Sequence, residues 1–119
     1  MMSAGTSIEQ RSLILIPFPY TDLSGAKKRP ALVISSLDFN MKNEDVICCL
    51  ITSNPEDKQH AIKITSKDME SGYLEFESKV KPHRLFTINK QLVYKVLGKL
   101  NLLKSKLVVE EINNIISIK

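Results

Sequence analysis

Apolar positions in this chain come in short blocks whose period changes along the sequence. The continuous apolar runs LILI and ALVI predict two buried strands, at residues 11–16 and 30–35. Residues 45–52 (DVICCLIT) form the most hydrophobic run and predict a third strand. Residues 60–65 place Ile62 and Ile64 on one face, and residues 73–76 do the same with Leu74 and Phe76, so both read as half-buried strands. Residues 78–88 alternate but are broken by Pro82, which predicts an edge strand or a bulged one. The period then becomes helical. Leu92, Val93, Val96, Leu97 and Leu100 share one helical face, with Asn89 as N-cap and Gly98 ending the turn. Residues 105–117 predict a second helix with Val108, Ile112, Ile115 and Ile116 on one side. Residues 36–45 and 53–59 read as connectors, and 66–72 as one helical turn capped by Ser66 and stopped by Gly72.

Many short strands, no helical crossovers between them and helices only at the end predict a mainly β fold, a small barrel with C-terminal α-helices. Residues 1–10 read as a flexible tail and 11–119 as a single domain. The 119 residues suffice for a core without disulfide staples. No apolar run approaches 18 residues and the polar start MMSAGTSIEQRS has no signal core, so the expectation is a cytoplasmic protein that does not enter a membrane.

Charge changes this picture more by its placement than by its net value of +4. No acid occurs from Ser78 to Val109, where eight Lys and Arg residues fall, and most acids lie between Asp38 and Glu77. That asymmetry suggests a positive face and an anionic partner, although a solvated surface fits it equally well. The stretch between the first two apolar runs, PFPYTDLSGAKKRP, has prolines at 17, 19 and 30 and a turn at Leu23-Ser24-Gly25. It reads as a stiffened loop with a mobile tip that carries Lys27, Lys28 and Arg29 to the mouth of the sheet.

Conventional catalytic sets are missing from the sequence. There is no Gly-rich phosphate loop, and the adjacent Cys48 and Cys49 read as small hydrophobes on opposite strand faces rather than metal ligands. His60 and His83, the only histidines, have neither triad nor metal spacing. What remains is Arg29 closing the first loop and Thr52-Ser53 ending the third strand. If the first three strands are neighbours, Arg29 and Thr52 meet at one rim. Arg offers a planar fork of donors to a phosphate, and Thr a hydroxyl at a restricted χ1. On RNA the nucleophile is the substrate's own 2′-OH, so such a site needs neither metal nor histidine. Taken alone, both features also fit a solvated loop and an ordinary turn.

The order LILIPFPYTDLSGAKKRPALVIS, DVICCLITSN, GYLEFESKVKPHRLFTI and VLGKL resembles the MazF/PemK family of toxin–antitoxin ribonucleases from about Arg11 to Ile116. The resemblance implies an SH3-like β-barrel, a homodimer, and no cofactor. It implies metal-independent, sequence-specific cleavage of single-stranded RNA to a 2′,3′-cyclic phosphate and a 5′-hydroxyl, and a cognate antitoxin whose extended tail blocks the RNA groove. Arg29 and Thr52 match the family's catalytic residues. Ser24 and Lys28 match RNA-contacting loop residues less closely, and Lys27, Ser53 and Arg84 join them as expected RNA contacts. Phe18 and Tyr20 would either stack bases or pack in the core. Three departures stand out. Arg11-Ser12-Leu13 replaces a Gly-Asp-hydrophobic start, Asp22-Leu23-Ser24-Gly25 replaces a Gly-Ser-Glu-Gln type loop, and Arg84-Leu85-Phe86 replaces Gln-x-Arg. The competing readings are a gyrase-targeting toxin of the CcdB type and a non-catalytic protein that only binds RNA or antitoxin.

Overall fold

In the computed structural model the residues described are 7–17 and 28–119; the expected mobile tip with Ser24 and Lys27, and Phe18 and Tyr20, lie outside them. Seven strands form one sheet: β1 (Ser12–Pro17), β2 (Lys28–Val33), β3 (Asp45–Thr52), β4 (Ile62–Ile64), β5 (Met69–Gly72), β6 (Ser78–Asn89) and β7 (Lys95–Leu100). Their order is β4-β6-β3-β2-β1-β7-β5, with every neighbouring pair antiparallel. Among the described residues two helices accompany them, α1 (Leu37–Lys42) and α2 (Leu102–Ile116).

The apolar runs are explained by two cores, one on each face of the central strands. Leu13, Leu32, Cys49 and Ile51 meet Ile64 of β4, Leu100 of β7 and Val108 and Ile112 of α2. Strands from near opposite ends of the sheet order thus share one core, so the sheet curls into a half-barrel closed by α2. On the other face Ile14, Ile16, Ala31, Val33, Val46 and Cys48 pack with Ile8, Ile88 and Val93. Cys48 and Cys49 therefore do point to opposite faces, and both are free thiols. Burial pushes the Cys48 thiol up to about 12 and raises that of Cys49 further still, so neither is a thiolate near neutral pH.

Several expectations are corrected. Residues 92–100 are not a helix. A short 3-10 turn at Lys90–Leu92, capped by Asn89, leads into β7, which fills the outer edge of β1. Tyr94 N–H donates to Leu15 C=O at 2.8 Å. A helix there would leave that edge of β1 unpaired, and this tertiary demand outweighs the helical spacing. β6 is interior, between β4 and β3, and not an edge; Pro82 is accommodated by a bulge where the β3 register slips between Cys49 and Leu50. The connector at 36–45 contains α1, capped by Ser36, whose hydroxyl accepts from Phe39 N–H. The turn at 66–72 is a 3-10 turn capped by Thr65 instead of Ser66, followed by β5. The last three residues of the supposed tail are held. Ile8 is buried and Gln10 Nε2 donates to Ile34 C=O. On α2, Val108 and Ile112 face the core, whereas Ile115 and Ile116 are exposed.

Gly98 and Gly72 stand opposite each other where β5 crosses β7. Gly72 has φ of +78°, and a Cβ on either glycine would collide with the backbone of the other strand. Gly98→Ala is therefore expected to cost about 1–3 kcal/mol, read as a lowered Tm. Gly72→Ala adds the left-handed strain that glycine avoids. An unchanged Tm for Gly98→Ala would show that β5 and β7 do not approach this closely.

Candidate active site

The site sits where β2 and β3 stop pairing with each other, while β2 stays on β1 and β3 on β6. Their register matches Ala31 with Leu50 and Leu32 with Cys49. Continued by two residues it sets Arg29 opposite Thr52. Pro30 intervenes without an N–H to donate, which explains why ladder pairing stops at Ala31 and the two strand ends part. On its other side Arg29 pairs with Ile16 of β1, so its backbone is held by a buried strand.

A cavity of about 470 Å³ opens at this point. Arg29, Thr52 and Ser53 line it, together with Leu15, Pro30 and Ile51 from the strands, Lys95 and Leu97 from β7, and Tyr73 to Phe76 from the β5–β6 connection. Three of the expected site residues are thus brought together. Arg29 is half-buried. Thr52 Oγ1 accepts from Asn54 N–H at 3.1 Å, which fixes the hydroxyl at the strand end and leaves its own proton to donate. Arg29 and Thr52 thus bring a guanidinium-bearing and a hydroxyl-bearing residue to the lining of one cavity.

The remaining expected contacts fall elsewhere. Lys28 is exposed beside the cavity, its Nζ 4.5 Å from the centre of the Tyr94 ring. Arg84 is not among the lining residues. It lies in the β6 bulge, beside a group of side chains that fastens the 53–61 connector. There the fully buried Lys81 donates to Asp57 and to Gln59 C=O, the His60 and His83 rings are 5.1 Å apart, and His60 Nδ1 lies 3.2 Å from Glu111 Oε2 on α2. The hydrogen bond from Lys81 holds the Asp57 carboxyl below its usual value, and the charge of Arg84 adds to this. Desolvation, with Lys81 next, lowers the His83 imidazole. Among the described residues no cluster of three His, Cys, Asp or Glu could hold a metal ion, and no helix is long and apolar enough to cross a membrane.

Sequence reading missed Tyr73, Glu75, Phe76 and Lys95. The alternation over 73–76 predicts a strand with Phe76 inward. Instead Leu74 alone of that stretch is buried, and Tyr73 and Phe76 are 69% and 66% exposed. Residues 73–77 hold no Gly, Pro, Asn, Asp or Ser to mark a turn, so the sequence carries no signal for it. Lys95 was hidden by the helical reading of β7.

No curated protein matches this chain. Solved structures do, over nearly its whole length. A MazE–MazF complex from Deinococcus radiodurans superposes with a TM-score of 0.77 at 16% identity, covering 96% of this chain and 100% of that one. An endoribonuclease in complex with its cognate antitoxin from a mycobacterial species gives 0.74 at 14% identity, covering 95% and 98%. The Mycobacterium tuberculosis toxin MazF-mt6 gives 0.71 at 16%, covering 92% and 99%. At these identities the likeness shows the fold. The sequence model of the PemK-like, MazF-like toxins of type II toxin–antitoxin systems matches residues 9–116, and the chain belongs to that family.

Proposed function

We propose that this protein is a cytoplasmic, metal-independent endoribonuclease that cuts single-stranded RNA and is held inactive by a cognate antitoxin. The observation that carries this reading is the convergence of Arg29 and Thr52 on one cavity, at the end of a rigid strand pair. RNA brings its own nucleophile. The 2′-oxygen attacks the adjacent phosphorus, the bond to the 5′-oxygen breaks, and a 2′,3′-cyclic phosphate and a 5′-hydroxyl result. Arg29 neutralises the charge that grows on the phosphoryl oxygens, and Thr52 donates to one of them. Glu75, the carboxylate among the described lining residues, takes the 2′ proton. The departing 5′-oxygen takes a proton from water at the open rim. Family membership supports a homodimer and an antitoxin partner. The antitoxin would compete for the same cavity, so adding it is expected to stop cleavage by blocking RNA binding.

The test is incubation of purified protein with a long single-stranded RNA in EDTA, with end-group analysis of the cuts. Discrete cuts with cyclic phosphate and 5′-hydroxyl ends are expected. RNA binding with no cleavage, in EDTA or in magnesium, would leave only a binding protein. Glu75→Gln is expected to lower kcat about 100-fold or more with little change in KM. A Gln variant with the wild-type kcat would remove Glu75 from the chemistry.

A further inference from the structure

The connection between β5 and β6 holds the two most exposed described aromatic rings, and it is built to keep them out. Tyr73 and Phe76 are 69% and 66% exposed, yet both line the cavity that contains Arg29 and Thr52. Between them Leu74 is buried and anchored twice by one side chain. Its N–H donates to Ser66 Oγ at 3.1 Å, and Ser66 Oγ donates to its C=O at 2.7 Å. Phe76 C=O accepts from the Ser78 hydroxyl at 3.0 Å. The backbone is therefore fixed on both sides of the rings. Among the described residues neither ring stacks on another ring or lies under a cation, whereas the Tyr94 ring has Lys28 over it. Two large apolar faces held in water at the rim of a cationic cavity need a planar, amphipathic occupant.

We infer that Tyr73 and Phe76 form a base-stacking platform for single-stranded nucleic acid, taking nucleobases that flank the phosphate at Arg29. The inference rests on the proposed RNA-cleaving function for its substrate class. The rings are three residues apart, at most about 10 Å of extended chain, so each takes a separate base. Stacking tolerates any base because every base has a π-face, so the platform supplies affinity and position while sequence choice is made elsewhere. Lys95, on the same cavity wall, supplies the charge that tracks the backbone.

The test uses a pool of 2′-O-methyl RNA 12-mers of random sequence, which cannot be cleaved because the nucleophile is blocked. Tyr73→Ala and Phe76→Ala are each expected to weaken binding roughly 5- to 100-fold. They carry no charge, so the slope of log K against log salt stays as in wild type, while Lys95→Ala makes it shallower. Phe76→Leu, which keeps apolar bulk and loses the ring face, is expected to behave like Phe76→Ala, and Phe76→Trp to restore binding. The chain has three tyrosines and no tryptophan, so tyrosine emission is readable. Wild-type emission should fall on binding, and Tyr73→Phe should bind normally with a smaller fall. Unchanged affinity in both Ala variants, or normal binding by Phe76→Leu, overturns the platform, as does failure of the wild type to bind the pool. Cleavage of ordinary RNA is measured in parallel. Cleavage with unchanged KM in the Ala variants overturns the platform and leaves the proposed function standing. Ring-dependent binding without cleavage does the reverse.

Discussion

Arg29→Ala is expected to reduce cleavage of single-stranded RNA roughly 1000-fold, the effect of deleting the guanidinium proposed to answer the charge of a five-coordinate phosphorane. The magnitude follows from position. Arg29 is half-buried at the end of a strand whose β1 partner, Ile16, is in the core, so its backbone is fixed at the cavity. Arg29→Lys keeps the charge and loses the planar fork, and it should recover only a small part of the rate. Thr52→Ala should cost about 10- to 100-fold, and Thr52→Ser should recover most of that, because the hydroxyl serves both the phosphate and the turn to Asn54. Each variant is compared with wild type by circular dichroism and Tm, so that loss of fold is not read as loss of chemistry. Wild-type rates in both Arg29→Ala and Thr52→Ala would end the assignment of this cavity as the active site.

What could be read from the sequence divides along a physical line. Strands buried on both faces announce themselves. Asp45–Thr52 was read with its boundaries correct because no other element of eight residues tolerates so continuous an apolar run between polar turns. The Arg29–Thr52 encounter was also legible, since it needs only that three consecutive strands be neighbours, which antiparallel β proteins usually provide. β7 was not legible. Its apolar residues fit a helical face, and what makes it a strand is long-range: the open edge of β1 and the Gly72–Gly98 approach to β5. Tyr73 and Phe76 escaped for the opposite reason. A run of four residues alternates by chance, and only the Ser66 anchor on Leu74 shows that the chain turns there. Nor could composition have told that a lysine would be wholly buried. Among charged residues Lys is one of the least often buried, and Lys81 reads in sequence as part of a positive face.

That buried lysine carries the largest expected effect on stability. Lys81 is 1% exposed in β6 and its ammonium is shared between the Asp57 carboxylate and Gln59 C=O. It ties the 53–61 connector, which begins one residue after Thr52, to the middle of the sheet. Removing the side chain deletes buried methylenes and both hydrogen bonds at once. Lys81→Ala should therefore destabilise the fold by about 2–4 kcal/mol, a fall in Tm of roughly 10 °C. Lys81→Met, which keeps the volume, separates the two contributions: a Tm close to wild type would mean that packing dominates and the ion pair adds nothing net. Acid titration checks the pair independently. Asp57 has a folded pKa held below its usual 3.8, so its contribution is present above that pH and lost as pH falls through the depressed value. His83 is depressed below 6.5, so the neutral ring's contribution is likewise present above 6.5 and lost on acidification. In Lys81→Met the low-pH loss from Asp57 should shrink, with only the charges of Arg84 and His83 left to depress its carboxyl. His83 should shift back toward its ordinary value, since one of the charges that disfavour its protonation is gone. Because the connector starts at Ser53, loosening it should also raise KM for RNA while Arg29→Ala acts on kcat. Wild-type stability, acid limb and KM in Lys81→Met would show that the connector is held by its backbone, the Lys79–Pro55 hydrogen bond and the His60–Glu111 contact without Lys81.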